Sequence, residues 1–95
     1  MSEGSDLIWL IYRGRPHARK PAERGPFLLG YVLSEDKASA TCASYAESAA
    51  KRLKGGMVKE YGSCGLVVCT PGQKEGYVHY EDVFEYHEVR LIQPA

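Results

Sequence analysis

A cysteine flanked by glycines is the first feature of this sequence that could carry chemistry. Cys64 lies in the turn-like segment Gly62-Ser63-Cys64-Gly65. A thiol becomes a nucleophile when a nearby imidazole or a helix N-terminus favours its thiolate. His79 or His87 would have to act as the base, and the spacing places neither of them beside Cys64. We therefore expect a structural cysteine, and a cysteine hydrolase or transferase is the enzyme alternative.

The same side chains are also potential metal ligands. Zinc sites in small domains bring ligands in close pairs such as CxxC, whereas Cys64 and Cys69 are five positions apart and His79 and His87 are eight apart. No phosphate-binding GxxxxGK[ST] loop occurs either. We expect no metal ion and no cofactor.

The segment 75–88 is rich in carboxylates and aromatic rings, which could present an acidic surface to a basic protein. Tyrosine is a favoured anchor of protein interfaces. The alternative is a strand whose polar side faces water. The candidate interface residues are Tyr77, Tyr80, Glu81, Asp82, Glu85 and Tyr86.

Cationic side chains are concentrated in the segment 13–26, which its proline and glycine residues predict to be a long extended loop. Five of them could contact phosphate groups, a protein's acidic patch, or only water. These candidate binding residues are Arg13, Arg15, Arg19, Lys20 and Arg24.

The centre of this loop, Arg13-Gly14-Arg15-Pro16, resembles the core of an AT-hook. That resemblance implies an extended segment that lays arginines in the minor groove of A/T-rich DNA, where negative potential is concentrated. The flanks differ from the motif, because Tyr12 replaces the preceding proline and His17-Ala18 replaces basic residues.

One helix, over about 35–54, would position these groups. Ser34 is a suitable N-cap, Glu35 and Asp36 put negative charge in the first turn, and Gly55 suits a left-handed stop. Apolar residues recur with helical periodicity and define the expected buried stripe. The stripe consists of Ala38, Cys42, Tyr45, Ala46, Ala49 and Leu53.

The remaining apolar segments predict strands at 7–12, 27–33 and 66–70, with a short one possible at 57–61. The segment 77–80 would complete a hairpin, Glu81 and Asp82 would interrupt the pattern, 83–88 is either a helical turn or a strand, and 89–92 is a last strand. The order β-β-α-β-β(-β) predicts an α+β fold, with four to five antiparallel or mixed strands and the helix on one face.

Residues 7–12 are apolar on both sides, whereas one helix covers one face of a sheet. Residues 83–92, a second copy of the chain or another partner would have to cover the second face.

The composition is that of one small globular domain, residues 7–95, behind a flexible tail, residues 1–6. The chain has 12 basic and 12 acidic side chains, but residues 1–54 are net basic and residues 55–95 net acidic.

The number of cysteines is odd, at three, which argues against a disulfide framework and favours the cytoplasm. No apolar run approaches a membrane span, and the polar, acidic start is unlike a signal peptide.

These observations together predict a non-enzymatic binding protein whose basic loop contacts nucleic acid or a nucleoprotein complex. A homodimer is one of the assemblies that would cover its second sheet face. The alternative is a small inhibitor or adaptor that docks on a protein through its sheet face and its acidic, aromatic segment. In size alone it resembles phage or mobile-element inhibitors such as anti-CRISPR proteins.

Overall fold

Five segments rich in β-branched and aromatic residues form one antiparallel sheet. The computed structural model describes residues 7–91. Along the chain the elements are β1 (Leu7–Gly14), a 3-10 turn (Pro21–Glu23), β2 (Phe27–Val32), α1 (Glu35–Lys51), β3 (Met57–Glu60), β4 (Gly65–Pro71) and β5 (Val78–Arg90). The strands are arranged across the sheet in the order β2-β1-β5-β4-β3. The predicted α+β fold is thereby confirmed, whereas the tail 1–6 and residues 92–95 lie outside the described residues.

The strand β5 replaces three separate elements of the sequence-based prediction. Its 13 residues run between β1 and β4 at the centre of the sheet. The expected interruption at Glu81 and Asp82 is wrong, because a register shift between Val68 and Cys69 of β4 accommodates the extra residue in β5. The ambiguous segment 83–88 is therefore strand.

The start of α1 follows its local sequence, and its end does not. The Ser34 hydroxyl accepts a hydrogen bond from the Lys37 backbone N–H at 3.2 Å, which confirms the predicted N-cap. The helix ends at Lys51, three residues before the predicted end. The Arg52 N–H donates to the Ala49 carbonyl at 3.2 Å, and the Leu53 N–H donates to the Ala50 carbonyl at 3.1 Å. Gly55 does have a positive φ of 72°, but it lies in the connection to β3.

The buried stripe of α1 is narrower than predicted. It repeats every four residues and consists of Ala38, Cys42, Ala46 and Ala50. Ala49 is only half-buried, and Tyr45 is 43% exposed. The ring of Tyr45 stacks on Phe84 with centroids 5.7 Å apart, so it covers the edge of the core while remaining open to solvent.

The sheet has two different faces. Ile11, Val68 and Phe84 pack beneath α1 on the helix-side face. Because side chains alternate along a strand, Val67 and Val83 project from the second face, where they form a smaller cluster with Cys69. Residues 83–90 do not cover that face, contrary to one expectation, because they are part of the sheet itself.

No helix among residues 7–91 has the length and apolar content needed to cross a membrane.

Candidate nucleic-acid interface

The register of the sheet brings the two predicted binding segments together. Strand β1 pairs with β5 only as far as Gly14 opposite Val83, whereas β4 pairs with β5 as far as Pro71 opposite Val78. The segment 78–82 of β5 therefore has a strand neighbour on one side only. The chain leaves β1 at this point, so the loop emerges beside the segment 78–82.

The loop is shorter and more folded than the sequence predicts. Arg13 and Gly14 belong to β1, so we use the name basic loop for residues 15–26. Arg15 N–H donates to the Arg24 carbonyl at 2.8 Å, and Arg24 Nε donates to the Ala18 carbonyl at 2.9 Å. Backbone and side-chain hydrogen bonds thus close the loop on itself, which corrects the expectation of an extended segment.

Two of the five candidate cations are paired with a buried carboxylate. Asp82 is 6% exposed, and its Oδ1 lies 3.0 Å from Arg13 Nε and 3.5 Å from Arg15 Nε. A buried charge is tolerated when it is paired in this way. Asp82, predicted as a protein-contact residue, instead joins the net basic N-terminal half to the net acidic C-terminal half.

The cations at the tip of the basic loop remain available. Arg19 and Lys20 are exposed, and neither forms an ion pair with any residue in the range 7–91. Arg24 is exposed as well, with its Nε bonded to the Ala18 carbonyl, so three cations of this loop have no ion pair with a carboxylate among residues 7–91.

Three rings form a row beside the basic loop. The centroid of the His17 ring lies 6.3 Å from that of Tyr80, and the centroid of the Tyr80 ring lies 6.3 Å from that of Tyr61. Tyr80 is opposite Cys69 in the register, so it projects from the second face of the sheet. We call His17, Tyr80 and Tyr61 the ring row; the sequence pattern indicates only Tyr80 among them.

Two adjoining cavities open between the basic loop and β5. The first, of about 350 Å³, is lined by Arg15, His17, Ala18, His79, Tyr80 and Glu81. The second, of about 540 Å³, shares His17, His79 and Tyr80 and adds Tyr77, which is 67% exposed. Cationic, imidazole and phenol groups, together with the Glu81 carboxylate, therefore line one continuous concave surface.

The rest of the acidic, aromatic segment does not form one surface. Glu81 accepts a hydrogen bond from the Thr70 hydroxyl at 2.8 Å. Tyr86 is buried on the helix side and donates to Glu35 at 3.3 Å; burial, and then the neighbouring Glu35 carboxylate, raise the pKa of Tyr86. Glu85 is half-buried and lies 4.0 Å from His87.

The structure places Cys64 apart from the histidines. Cys64 packs against the helix-side core, with its Sγ 3.6 Å from the Ser63 hydroxyl. His79 lines the cavities at the basic loop, and the His87 ring contacts Tyr12 at 5.4 Å. Within residues 7–91, no group of three or more histidine, cysteine or acidic side chains could hold a metal ion.

No protein-family model, curated protein or solved structure matches this chain. The candidate site is therefore defined by its own geometry.

Proposed function

We propose that the chain is a non-enzymatic binding domain whose basic loop and ring row bind single-stranded nucleic acid. The observation that carries the proposal is the 6.3 Å approach of His17 to Tyr80, because it joins the cationic loop to exposed aromatic rings. Single strands are bound by cations that follow the phosphates and by aromatic side chains on which bases stack.

A single strand fits this surface better than the minor groove of a duplex. An AT-hook needs both arginines of its core free in an extended segment, whereas here Arg13 lies in β1 and both Arg13 and Arg15 share Asp82. Arg19 and Lys20 would contact phosphates. Tyr77 and Tyr80 would stack against unpaired bases, which a duplex does not expose.

The experiment is a fluorescence-anisotropy titration at low salt with labelled single-stranded DNA, single-stranded RNA and an A/T-rich duplex. We expect the wild-type chain to bind a single strand more tightly than the duplex. Tyr77→Ala should weaken binding about tenfold or more, as expected for the loss of one stacking ring. Tyr77→Phe keeps the ring and should retain the wild-type affinity.

A matched pair of charge variants tests the basic loop. Arg19→Ala combined with Lys20→Ala should abolish most binding. Lys51→Ala combined with Arg52→Ala removes two exposed cations at the end of α1 and should change little. Equal losses in the two double variants would indicate non-specific attraction and overturn the proposal.

The exposure of Tyr77 also favours the second candidate, an inhibitor or adaptor that binds a protein through this segment. In this case the immobilised wild-type chain should capture one protein from a nuclease-treated extract of native cells, and the Tyr77→Ala chain should not capture it. Absence of binding to every oligonucleotide together with this result would replace the first candidate by the second.

A further inference from the structure

The two edges of the sheet are protected very differently. The edge strand β3 has only four residues, of which Lys59 and Glu60 are charged. The opposite edge, β2 and the residue after it, has the sequence FLLGYVL over residues 27–33, with no charge. Edge strands of soluble proteins are normally short, charged or covered, because their free backbone groups pair with other chains. Within residues 7–91, β2 has a strand neighbour only in β1.

The apolar side chains of this edge are also exposed. Tyr31 is 64% and Leu33 69% exposed, and Phe27, Leu28 and Leu29 are exposed as well. A second strand along this edge would cover a continuous set of apolar side chains. We propose that β2 pairs with β2 of a second copy of this chain, antiparallel about a two-fold axis, to form a continuous ten-stranded sheet.

A second copy suits this edge because the pairing is compatible in charge. Every β2 residue is uncharged, so an antiparallel pair about a two-fold axis places no like charges opposite each other. A charged strand of another protein would find no oppositely charged side chain in β2, so an uncharged strand is the better partner.

The register of the pair follows from the bulge in β2. Leu29 has no partner in β1, because Tyr12 pairs with Leu28 and Ile11 with Gly30. Leu28 and Tyr31 therefore lie on the second face, opposite Tyr12 and Leu10, whereas Phe27 and Val32 lie on the helix side, opposite Arg13 and Trp9. A two-fold axis between Leu29 and Gly30 places Leu28 opposite Tyr31 and Phe27 opposite Val32 of the second copy, so both pairs share a face.

This register also gives Leu29 of the second copy a place to lie. It falls opposite Gly30, where an added Cβ would meet nothing within 4 Å. A cavity of about 230 Å³ adjoins Gly30 on the helix side and includes Ile11, Thr41 and Tyr45 in its lining. The glycine thus leaves open the space that the second copy needs.

Sedimentation velocity of the full chain, from about 1 to 100 µM, tests the pairing. We expect a dimer of the wild-type chain. Leu28→Lys combined with Tyr31→Lys puts lysine opposite lysine twice and should weaken association at least about tenfold. Met57→Lys, a matched substitution on the opposite edge, should leave the dimer intact.

A second variant tests the register itself. Gly30→Leu fills open space in its own chain, so the fold should survive by circular dichroism, and the dimer should weaken because Leu29 of the second copy is displaced. If association were only non-specific apolar contact, Gly30→Leu would strengthen it, and that result would contradict the register. A monomeric wild-type chain at about 100 µM, an intact dimer in the double lysine variant, or dissociation by Met57→Lys would each overturn the proposal. Oligonucleotide binding by the monomeric variant tests the proposed function separately.

Discussion

Asp82 determines how much positive charge the basic loop presents. Its carboxylate is almost fully buried and is shared by Arg13 and Arg15, whose side chains are themselves about two-fifths exposed. The stability of a buried charge depends on its ion-pair partners, because removing one partner leaves the other charge buried and uncompensated. The same contacts that stabilise the end of β1 therefore reduce the positive charge that Arg15 presents to a ligand in the first cavity.

Replacing this carboxylate should strengthen nucleic-acid binding while weakening the fold. Asp82→Asn frees Arg15, which lines the first cavity, so affinity for a single strand should rise and the salt dependence should become steeper by about 0.7 for this new phosphate contact. The free energy of unfolding should fall by about 1–3 kcal/mol, since Asp82 loses its charged hydrogen bond from Arg13 and its ion pair with Arg15. Anisotropy measures the affinity, and denaturant titration measures the free energy of unfolding. A folded Asp82→Asn chain with unchanged or weaker affinity would contradict this prediction.

The buried thiol of Cys42 should make the fold sensitive to alkaline pH. Burial, and then the Glu85 carboxylate, raise the pKa of Cys42 from 9.0 to about 11. Above pH 9 the unfolded chain loses this proton first, so the stabilisation is complete below pH 9 and is lost as pH rises towards 11. Over that range the wild-type chain should lose about 1–3 kcal/mol more stability than Cys42→Ala. Parallel pH profiles of the two chains would contradict the assignment.

At the scale of elements, α1 lies close to the sheet because its contact residues are small. Ala46 is fully buried between Cys42 and Ala50, one turn away on either side. Close packing leaves no space for a larger side chain at such a position.

Ala46→Leu should therefore overpack the core and cost about 1–3 kcal/mol of unfolding free energy. Ala40→Leu, at an exposed position of the same helix, is the matched control and should cost almost nothing. Urea titrations of both variants provide the measurement, and equal midpoints would mean that α1 does not contact the sheet through Ala46.

Local patterns were enough to predict some elements and not others. The N-cap at Ser34 and the strand at residues 7–12 depend on nearby residues only, and both are confirmed. The continuity of β5 through Glu81 and Asp82 depends on a bulge opposite β4 and on arginines about 70 positions away, which a local pattern cannot contain. The helix ends with backbone hydrogen bonds from Arg52 and Leu53 to Ala49 and Ala50, before the chain reaches Gly55.

At the scale of the whole molecule, the candidate site is produced by the order of the strands. Because β5 lies between β1 and β4, its free segment 78–82 meets the chain that leaves β1. The basic loop and the tyrosines were predicted from composition as two separate surfaces. Their contact through His17 and Tyr80 requires the sheet register, so the sequence pattern alone could not indicate it.

The composite site is tested most directly by the salt dependence of single-strand binding. Affinity is measured by anisotropy over a series of salt concentrations, for the wild-type chain and for Arg19→Ala combined with Lys20→Ala. Two phosphate contacts predict a wild-type slope of about −1.4 or steeper in log K against log salt, since each contributes about −0.7 on a single strand. The double variant should give a slope that is shallower by about 1.4. No wild-type binding at low salt, or equal slopes for the two chains, would contradict nucleic-acid binding by the basic loop.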